Sequence, residues 1–142
     1  MRTSRSLFAL ALMFAAGYVA GQVTRTDVAA QGKKVYELRT YYTHPGKLPD
    51  LNARFRNHTT KLFEKHGMTN VGYWVPQDEP ARSNTLIYIV AHDSREAAKK
   101  NWAGFGADPE WQKVRTASET NGKIVEKVES VFMDPTDYSK IR

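Results

Sequence analysis

The chain has 142 residues, enough for one domain of ordinary size, and carries a formal net charge of +6. Its basic and acidic residues are interleaved rather than clustered, so nothing beyond this mild charge excess supports binding to nucleic acid. There is no cysteine, which excludes disulfides, thiolate metal sites, a lipoprotein anchor and a cysteine nucleophile.

The first 30 residues have the three parts of a secretion signal. Two arginines give a basic start, residues 7–20 form an unbroken run of apolar or small residues, and a small-residue exit follows. The apolar run is shorter than the roughly 18 to 20 residues that cross a bilayer, so an uncleaved membrane anchor is the weaker alternative. Cleavage is predicted before Gln31, with a second exit at 19–21. We therefore expect an exported protein, periplasmic or secreted.

The rest of the chain divides into a short linker (31–34), one domain (35–133) and a polar tail (134–142). Strands are predicted where β-branched and aromatic residues alternate, at 35–43, 70–75, 85–92 and 123–133.

Two helical regions separate these strands. Apolar residues three, four or seven apart predict a helix of about five turns from Lys47 to His66. A second region begins after Ser94 as N-cap, is interrupted by glycines 104 and 106, and restarts at Asp108 with Pro109 in the first helical position.

The order β-α-β-β-α-β predicts an α+β domain of the ferredoxin-like kind, a four-stranded antiparallel sheet with both helices on one face. Strand alternation is interpreted as placing Tyr41, Tyr73, Tyr88 and Val90 on the uncovered face. An exposed patch of this kind is typical of an interaction surface. We therefore expect a homodimer in which two sheets meet face to face and form an α+β barrel.

Two motifs carry a family resemblance. One is the first strand, Tyr36-Glu37-Leu38-Arg39-Thr40-Tyr41, followed by Pro45-Gly46. The other lies in the second helical region and consists of Trp102, Phe105 and Asp108-Pro109-Glu110-Trp111. With these motifs the segment from Val35 to about Phe132 resembles the NIPSNAP family. The resemblance implies a dimeric α+β barrel and little about reaction type. Families that share this barrel include cofactor-free monooxygenases, haem enzymes and small isomerases.

The strongest group of polar residues lies on one face of the first strand and extends across the sheet. In the functional interpretation it lines a cleft inside the dimer barrel, where Arg39 holds an anionic group and Glu37 or His92 moves a proton. In the favoured alternative, Glu37 and Arg39 neutralise each other and the tyrosines fill space. The candidate pocket consists of Glu37, Arg39, Tyr41, Tyr73, Tyr88 and His92.

An aromatic cluster in the second helical region has two interpretations. Trp102, Phe105 and Trp111 would form a lid over the barrel mouth, with the two glycines as its hinge. Alternatively they are core residues that pack the helix break against the sheet.

The four histidines show no metal-ligand spacing, so no metal and no cofactor are predicted. His58 lies on the apolar stripe of the first helix and is predicted to be a hydrogen-bonded core residue. His66 ends that helix, where a partial positive charge suits the helix dipole.

Three functions are left open by the residues. The first is an exported homodimer that binds a small hydrophobic or acidic molecule in its barrel. The second is a cofactor-independent oxidoreductase, monooxygenase-like, or an isomerase using the same cavity. The third is a purely structural dimerisation module.

Overall fold

The computed structural model describes residues 33–141. The predicted signal segment lies outside this range, so both it and the division of the chain into segments stay predictions. Within the range, no helix is long and apolar enough to span a membrane. Four strands are present: β1 (Val35–Thr43), β2 (Thr69–Trp74), β3 (Thr85–His92) and β4 (Val125–Met133).

The strands form one antiparallel sheet in the order β2-β3-β1-β4. With the first helical region between β1 and β2 and the second between β3 and β4, this is the predicted ferredoxin-like α+β arrangement. The first strand is central because it pairs with both β3 and β4. Residues on β1 therefore have neighbours on two sides, which makes this strand the natural place for a site.

The helical segments are α1 (Leu48–Arg54), a π-helical turn (Phe55–Thr59), α2 (Thr60–Lys65), α3 (Ala81–Asn84), α4 (Arg95–Ala107) and α5 (Pro109–Ser118). The predicted caps are confirmed: Ser94 Oγ accepts from Ala97 N at 3.0 Å and Asp108 Oδ1 from Glu110 N at 2.8 Å. The predicted interruption at the two glycines is wrong, because α4 continues through both.

The π-helical turn changes which residues of the first helix face the core. Its wider turn adds one residue to the helical period, so the buried position falls on Thr59 and His58 is exposed. The prediction that His58 is a core histidine is therefore wrong. Hydroxyl groups satisfy the carbonyls that the wide turn displaces: Thr59 Oγ1 donates to the Arg54 carbonyl at 3.2 Å and Thr60 Oγ1 to the Phe55 carbonyl at 3.3 Å.

The hydrophobic core lies between the sheet and the helices. Tyr88 has no exposed surface, and its ring packs 5.2 Å from Phe55 and 5.9 Å from Phe63, measured between centroids. Tyr41 and Tyr73 make edge contacts with the same Phe55 ring, at 5.8 Å and 5.7 Å. Edge contacts of this kind stabilise a core beyond the area that they bury.

These contacts show that the predicted assignment of the two sheet faces is wrong. Tyr41, Tyr73, Tyr88 and Val90 belong to the helix-covered face, because they pack in the core with the helices. Alternation and register place Leu38, Ile89 and Val131 together on the uncovered face, which we call the open face. Both sets alternate with the same period, so the strand pattern alone does not reveal which one the helices cover.

The C-terminal tail lies against one end of the open face. Pro135 and Ile141 of the tail line an apolar cavity of about 270 Å³ together with Tyr36 and Ile89 of the sheet. The rest of the open face, including Val131 at 55% exposure, lies outside this cavity.

Candidate functional site

Glu37 is the centre of a buried polar network on the helix-covered face. Its carboxylate is 1% exposed and accepts four side-chain hydrogen bonds. Four donors saturate a carboxylate, because each oxygen then accepts two bonds. The donors are Arg39 Nη1 and Ser130 Oγ, each 2.6 Å from Oε1, and Trp102 Nε1 at 2.6 Å and His92 Nε2 at 3.0 Å from Oε2. We call Glu37 and these donors the Glu37 network.

Hydrogen bonding fixes the tautomer of His92 within this network. Asn101 Nδ2 donates to the Gly67 carbonyl at 3.1 Å, which sets the orientation of the amide. The same nitrogen lies 3.2 Å from His92 Nδ1, so Nδ1 accepts its second hydrogen. With Nδ1 as the acceptor, Nε2 carries a hydrogen and donates it to Glu37.

The network also determines the ionisation of Glu37. Burial raises the pKa of this carboxyl, but the hydrogen bonds from His92, Ser130, Trp102 and Arg39 outweigh burial and lower the pKa to about 2. A carboxylate with so low a pKa is a weak base at neutral pH. Ionised and saturated with donors, Glu37 has the character of a structural anion.

Arg39 links the Glu37 network to the aromatic residues. Its guanidinium carbon lies 4.2 Å from the centroid of the Trp102 ring and 5.6 Å from that of Tyr41. Burial lowers the pKa of Arg39, but charge interactions with Tyr41, Tyr88 and Glu37 raise it overall. The ion pair between Arg39 and Glu37 is the one expected in the alternative in which these two side chains neutralise each other and the tyrosines fill space.

The predicted tyrosines lie beside this network. Tyr73 and Tyr88 stack with their ring centroids 5.3 Å apart, and Tyr41 meets Tyr88 edge-on at the same distance. Burial raises the pKa of Tyr73 and Tyr88 above the ordinary value for a phenol, so both are neutral. All six residues of the predicted pocket thus share one connected region, although it faces the helices of the same chain and not a second sheet.

A cavity of about 250 Å³ opens next to Tyr41, between the sheet and the helices. We call it the aromatic cavity, because rings from β1, the π-helical turn, α2, α4 and α5 line it. One anionic side chain, Glu119, lines it together with three cationic ones. The lining residues are Tyr41, Arg54, Phe55, Thr59, Phe63, Phe105, Trp111, Arg115, Glu119, Lys123, Val125 and Val128.

Arg54 is the residue of this cavity that sequence reasoning missed. Its side chain is buried where α1 ends, and its Nη1 donates to Ser118 Oγ at 3.2 Å and to Glu119 Oε1 at 3.3 Å. The guanidinium carbon lies 5.3 Å from the centroid of the Trp111 ring. Its Nε makes no hydrogen bond with any residue in the described range. An arginine among the apolar positions of a predicted helix was the available signal.

The predicted lid residues pack continuously with the core. Phe105 and Trp111 lie 4.4 Å apart and line the aromatic cavity. Trp102 instead covers the Glu37 network and meets Phe63 edge-on at 5.2 Å. These contacts favour the core alternative, and the proposed glycine hinge lies inside an unbroken helix.

The histidines of the described range have other polar neighbours or lie at the surface. Residues 33–141 contain no group of three histidine, cysteine or acidic side chains placed to hold a metal ion. His66 lies where the first helical region ends, and its Nε2 is 2.6 Å from Asp108 Oδ2, so it connects this helix to the start of α5.

Residues 33–141 thus form a ferredoxin-like α+β domain with a saturated carboxylate network and a small aromatic cavity beneath its helices. The family model for NIPSNAP matches residues 36–140, and the chain belongs to the NIPSNAP family. No significant match was found among curated proteins.

Solved structures with the same fold include members of the family from two bacteria. A NIPSNAP family protein of unknown function from Agrobacterium tumefaciens is 23% identical, with a TM-score of 0.65 over 80% of this chain and 96% of that one. A NIPSNAP-like domain protein from Burkholderia xenovorans is 17% identical, with a TM-score of 0.64 over 75% and 89% of the respective chains.

A monooxygenase from Streptomyces coelicolor, solved in complex with the ligand nanaomycin D, is also similar. It is 18% identical, with a TM-score of 0.52 over 74% of this chain and 89% of that one. At this identity the similarity shows a shared fold.

Proposed function

We propose that this NIPSNAP protein is an exported homodimer that holds a small, largely apolar molecule in the aromatic cavity of each protomer. The observation that carries the proposal is the cavity itself, about 250 Å³ bounded on several sides by aromatic rings. Ligand sites of proteins are usually concave, mostly apolar and largely preformed. The proposed ligand site is therefore the cavity between the sheet and the helices, and not the cleft between two sheets that the sequence predicts.

The size and lining of the cavity indicate the kind of molecule. Pockets for drug-sized ligands occupy roughly 300–1,000 Å³, so this cavity suits a smaller molecule of one or two rings. Phe105 and Trp111 form one side with their ring planes 32° apart, and Tyr41 lies on the sheet side. Flat aromatic walls favour a planar ligand.

Catalysis by the Glu37 network has less support. A general base needs a pKa near the working pH and a free lone pair directed at the substrate. Glu37 accepts four hydrogen bonds and has its pKa lowered to about 2, so it offers neither. The alternative of a cofactor-independent oxidoreductase therefore rests on the fold shared with the Streptomyces monooxygenase, and fold alone does not carry an activity.

The open face supports the homodimer. Leu38, Ile89 and Val131 lie side by side on its three adjacent strands β1, β3 and β4, and Val131 is 55% exposed. Trp74, at 51% exposure, extends this apolar surface on β2. An apolar sheet face of this extent is buried by a second copy when two open faces meet. Two sheets joined in this way would form the predicted α+β barrel.

Export remains part of the proposal on sequence grounds. The basic start, the short apolar run and the small-residue exit in residues 1–30 support it. N-terminal sequencing of the mature protein tests it, and a retained Met1 would overturn the cleaved form.

The ligand proposal is tested first by native mass spectrometry of protein purified from its own host. We expect a bound small molecule, and an empty protein would favour the structural module.

A variant that blocks the cavity provides a second test of ligand binding. Val128→Phe places a ring at the cavity wall and is expected to abolish binding, whereas Val75→Phe, at a residue of similar exposure outside the cavity (38% against 40%), should bind normally.

The dimer is tested by light scattering at micromolar concentration. We expect the wild type to be dimeric and Val131→Asp to be monomeric, because a carboxylate in the middle of an apolar interface lacks a partner. The control Thr116→Asp, on the exposed side of α5, should stay dimeric. A monomeric wild type would contradict the proposal.

A further inference from the structure

We propose that the ligand of the aromatic cavity is an anion: a planar aromatic molecule that carries a carboxylate, with Arg54 as its anchor. The inference rests on the proposed ligand-binding function and adds the charge of the ligand and the residue that recognises it. It depends on three observations, namely an incompletely bonded buried guanidinium, the balance of charges around the cavity, and the aromatic walls.

The first observation is the state of Arg54. Arginine is always charged, and its guanidinium offers five N–H donors, two of which can pair bidentately with one carboxylate. Here Nη1 contacts both Ser118 and Glu119 at distances above 3 Å, while Nε has no partner among the described residues. A carboxylate entering the cavity beside the guanidinium would supply an acceptor to this group.

The second observation is an excess of positive charge. Arg54, Arg115 and Lys123 line the cavity, and Glu119 is the one anionic residue among the described residues that line it. Glu119 is shared between Arg54 at 3.3 Å and Arg115 at 3.6 Å. Lys123 forms no ion pair with a residue in the described range and is exposed. Two positive charges are thus left without a counter-charge, which favours an anionic ligand.

The third observation is the arrangement of apolar and charged walls. The centroid of the Trp111 ring lies 5.3 Å from the Arg54 guanidinium carbon and 4.4 Å from the centroid of Phe105, so the charged group lies next to the aromatic rings. A molecule with an aromatic ring and a carboxylate would match both at once. A purely aliphatic or uncharged molecule would add no charged acceptor beside the guanidinium and would therefore bind less tightly.

Binding measurements on the wild-type protein test whether the cavity prefers a charged ligand. Two pairs of probes that differ in the charged group are titrated by calorimetry: 2-naphthoate against 2-naphthylmethanol, and benzoate against benzyl alcohol. We expect the carboxylate of at least one pair to bind about tenfold more tightly than its alcohol, because hydrogen bonds to charged groups are roughly twice as strong as neutral ones. Equal affinities within the pairs would overturn the inference and leave the cavity function standing. No binding by any of the four probes would count against both.

Variants test the assigned anchor. Arg54→Gln should remove the preference for the carboxylate and change alcohol binding less than about twofold, since the apolar walls are retained. The control Arg56→Gln changes an exposed arginine two residues further along that is not among the cavity walls, and should keep the preference. A folded Arg54→Gln protein that still prefers the carboxylate would overturn the role of Arg54.

A second variant covers the case in which Arg54→Gln does not fold. Lys123→Gln removes an exposed charge at the cavity and should reduce carboxylate affinity by about threefold, since exposed charges contribute modestly. Higher salt should also lower the affinity of the wild-type protein for the carboxylate. Carboxylate binding that responds to neither change would contradict an electrostatic origin of the preference.

Discussion

The Glu37 network and the aromatic cavity lie on the same face of the sheet but differ in how far their charged groups are balanced by partners. In the network, a carboxylate that is 1% exposed accepts four hydrogen bonds, so no lone pair is left for another molecule. Arg39 of the network and Arg54 of the cavity each keep an Nε without a partner among the described residues, but only in the cavity do three cations face one acid. A saturated carboxylate stabilises a fold, whereas an excess of one charge beside a cavity favours a ligand of the opposite charge.

The comparison predicts the largest stability loss at the centre of the network. Glu37→Gln removes the negative charge and leaves the half-buried Arg39 without its ion pair, so the free energy of unfolding should fall by about 3 kcal/mol. Urea unfolding measures this. The control Glu126→Gln, exposed on β4, should change stability by less than about 0.5 kcal/mol. A loss below about 1 kcal/mol at Glu37 would show that the network is not mainly structural.

The same carboxylate predicts a specific loss of stability in acid. Folding lowers the pKa of Glu37 from 4.5 to about 2. A group with a lowered pKa stabilises the fold above its unfolded pKa, and this contribution is lost as the pH falls from 4.5 toward 2. Between pH 6 and pH 2.5 the wild type should lose about 2 kcal/mol more than Glu37→Gln. Parallel pH profiles for the two proteins would contradict the assignment.

A smaller effect is expected at the indole that covers the network. Trp102→Phe keeps most of the packing against Phe63 but removes the N–H that donates to Glu37 at 2.6 Å. The expected loss is about 1 to 2 kcal/mol in thermal or urea unfolding, typical of a hydrogen bond to a charged group. Trp111→Phe is the control, because its indole N–H makes no hydrogen bond to a residue in the described range. Equal losses for the two variants would mean that packing alone is responsible.

The smallest stability effect is expected in the cavity wall. Val128→Phe changes a residue that is 40% exposed, so the free energy of unfolding should move by less than about 0.5 kcal/mol while ligand binding is lost. Measured together, binding and unfolding separate the two regions: the network variants should affect mainly stability, and this variant mainly binding. A strongly destabilised Val128→Phe protein would remove the contrast.

Much of the site could be predicted from the strand pattern. Alternation puts Glu37, Arg39 and Tyr41 on one face of β1, and in the structure Tyr73, Tyr88 and His92 lie beside them across the sheet. The face itself was assigned wrongly, because an alternating strand is compatible with either side being covered. His58 was misplaced for another reason: a π-helical turn shifts the helical period by a residue, and periodicity assumes a regular helix.

The order of the elements, the caps at Ser94 and Asp108, and the sets of residues that share a strand face can be read from the sequence, since they depend on neighbours a few positions apart. What those faces contact depends on how the helices and the sheet pack. Glu37 meets Trp102 and Ser130 across separations of 65 and 93 residues, and Arg54 meets Glu119 across 65. Contacts of this range arise from packing helices onto a sheet, so they leave no local pattern in the sequence.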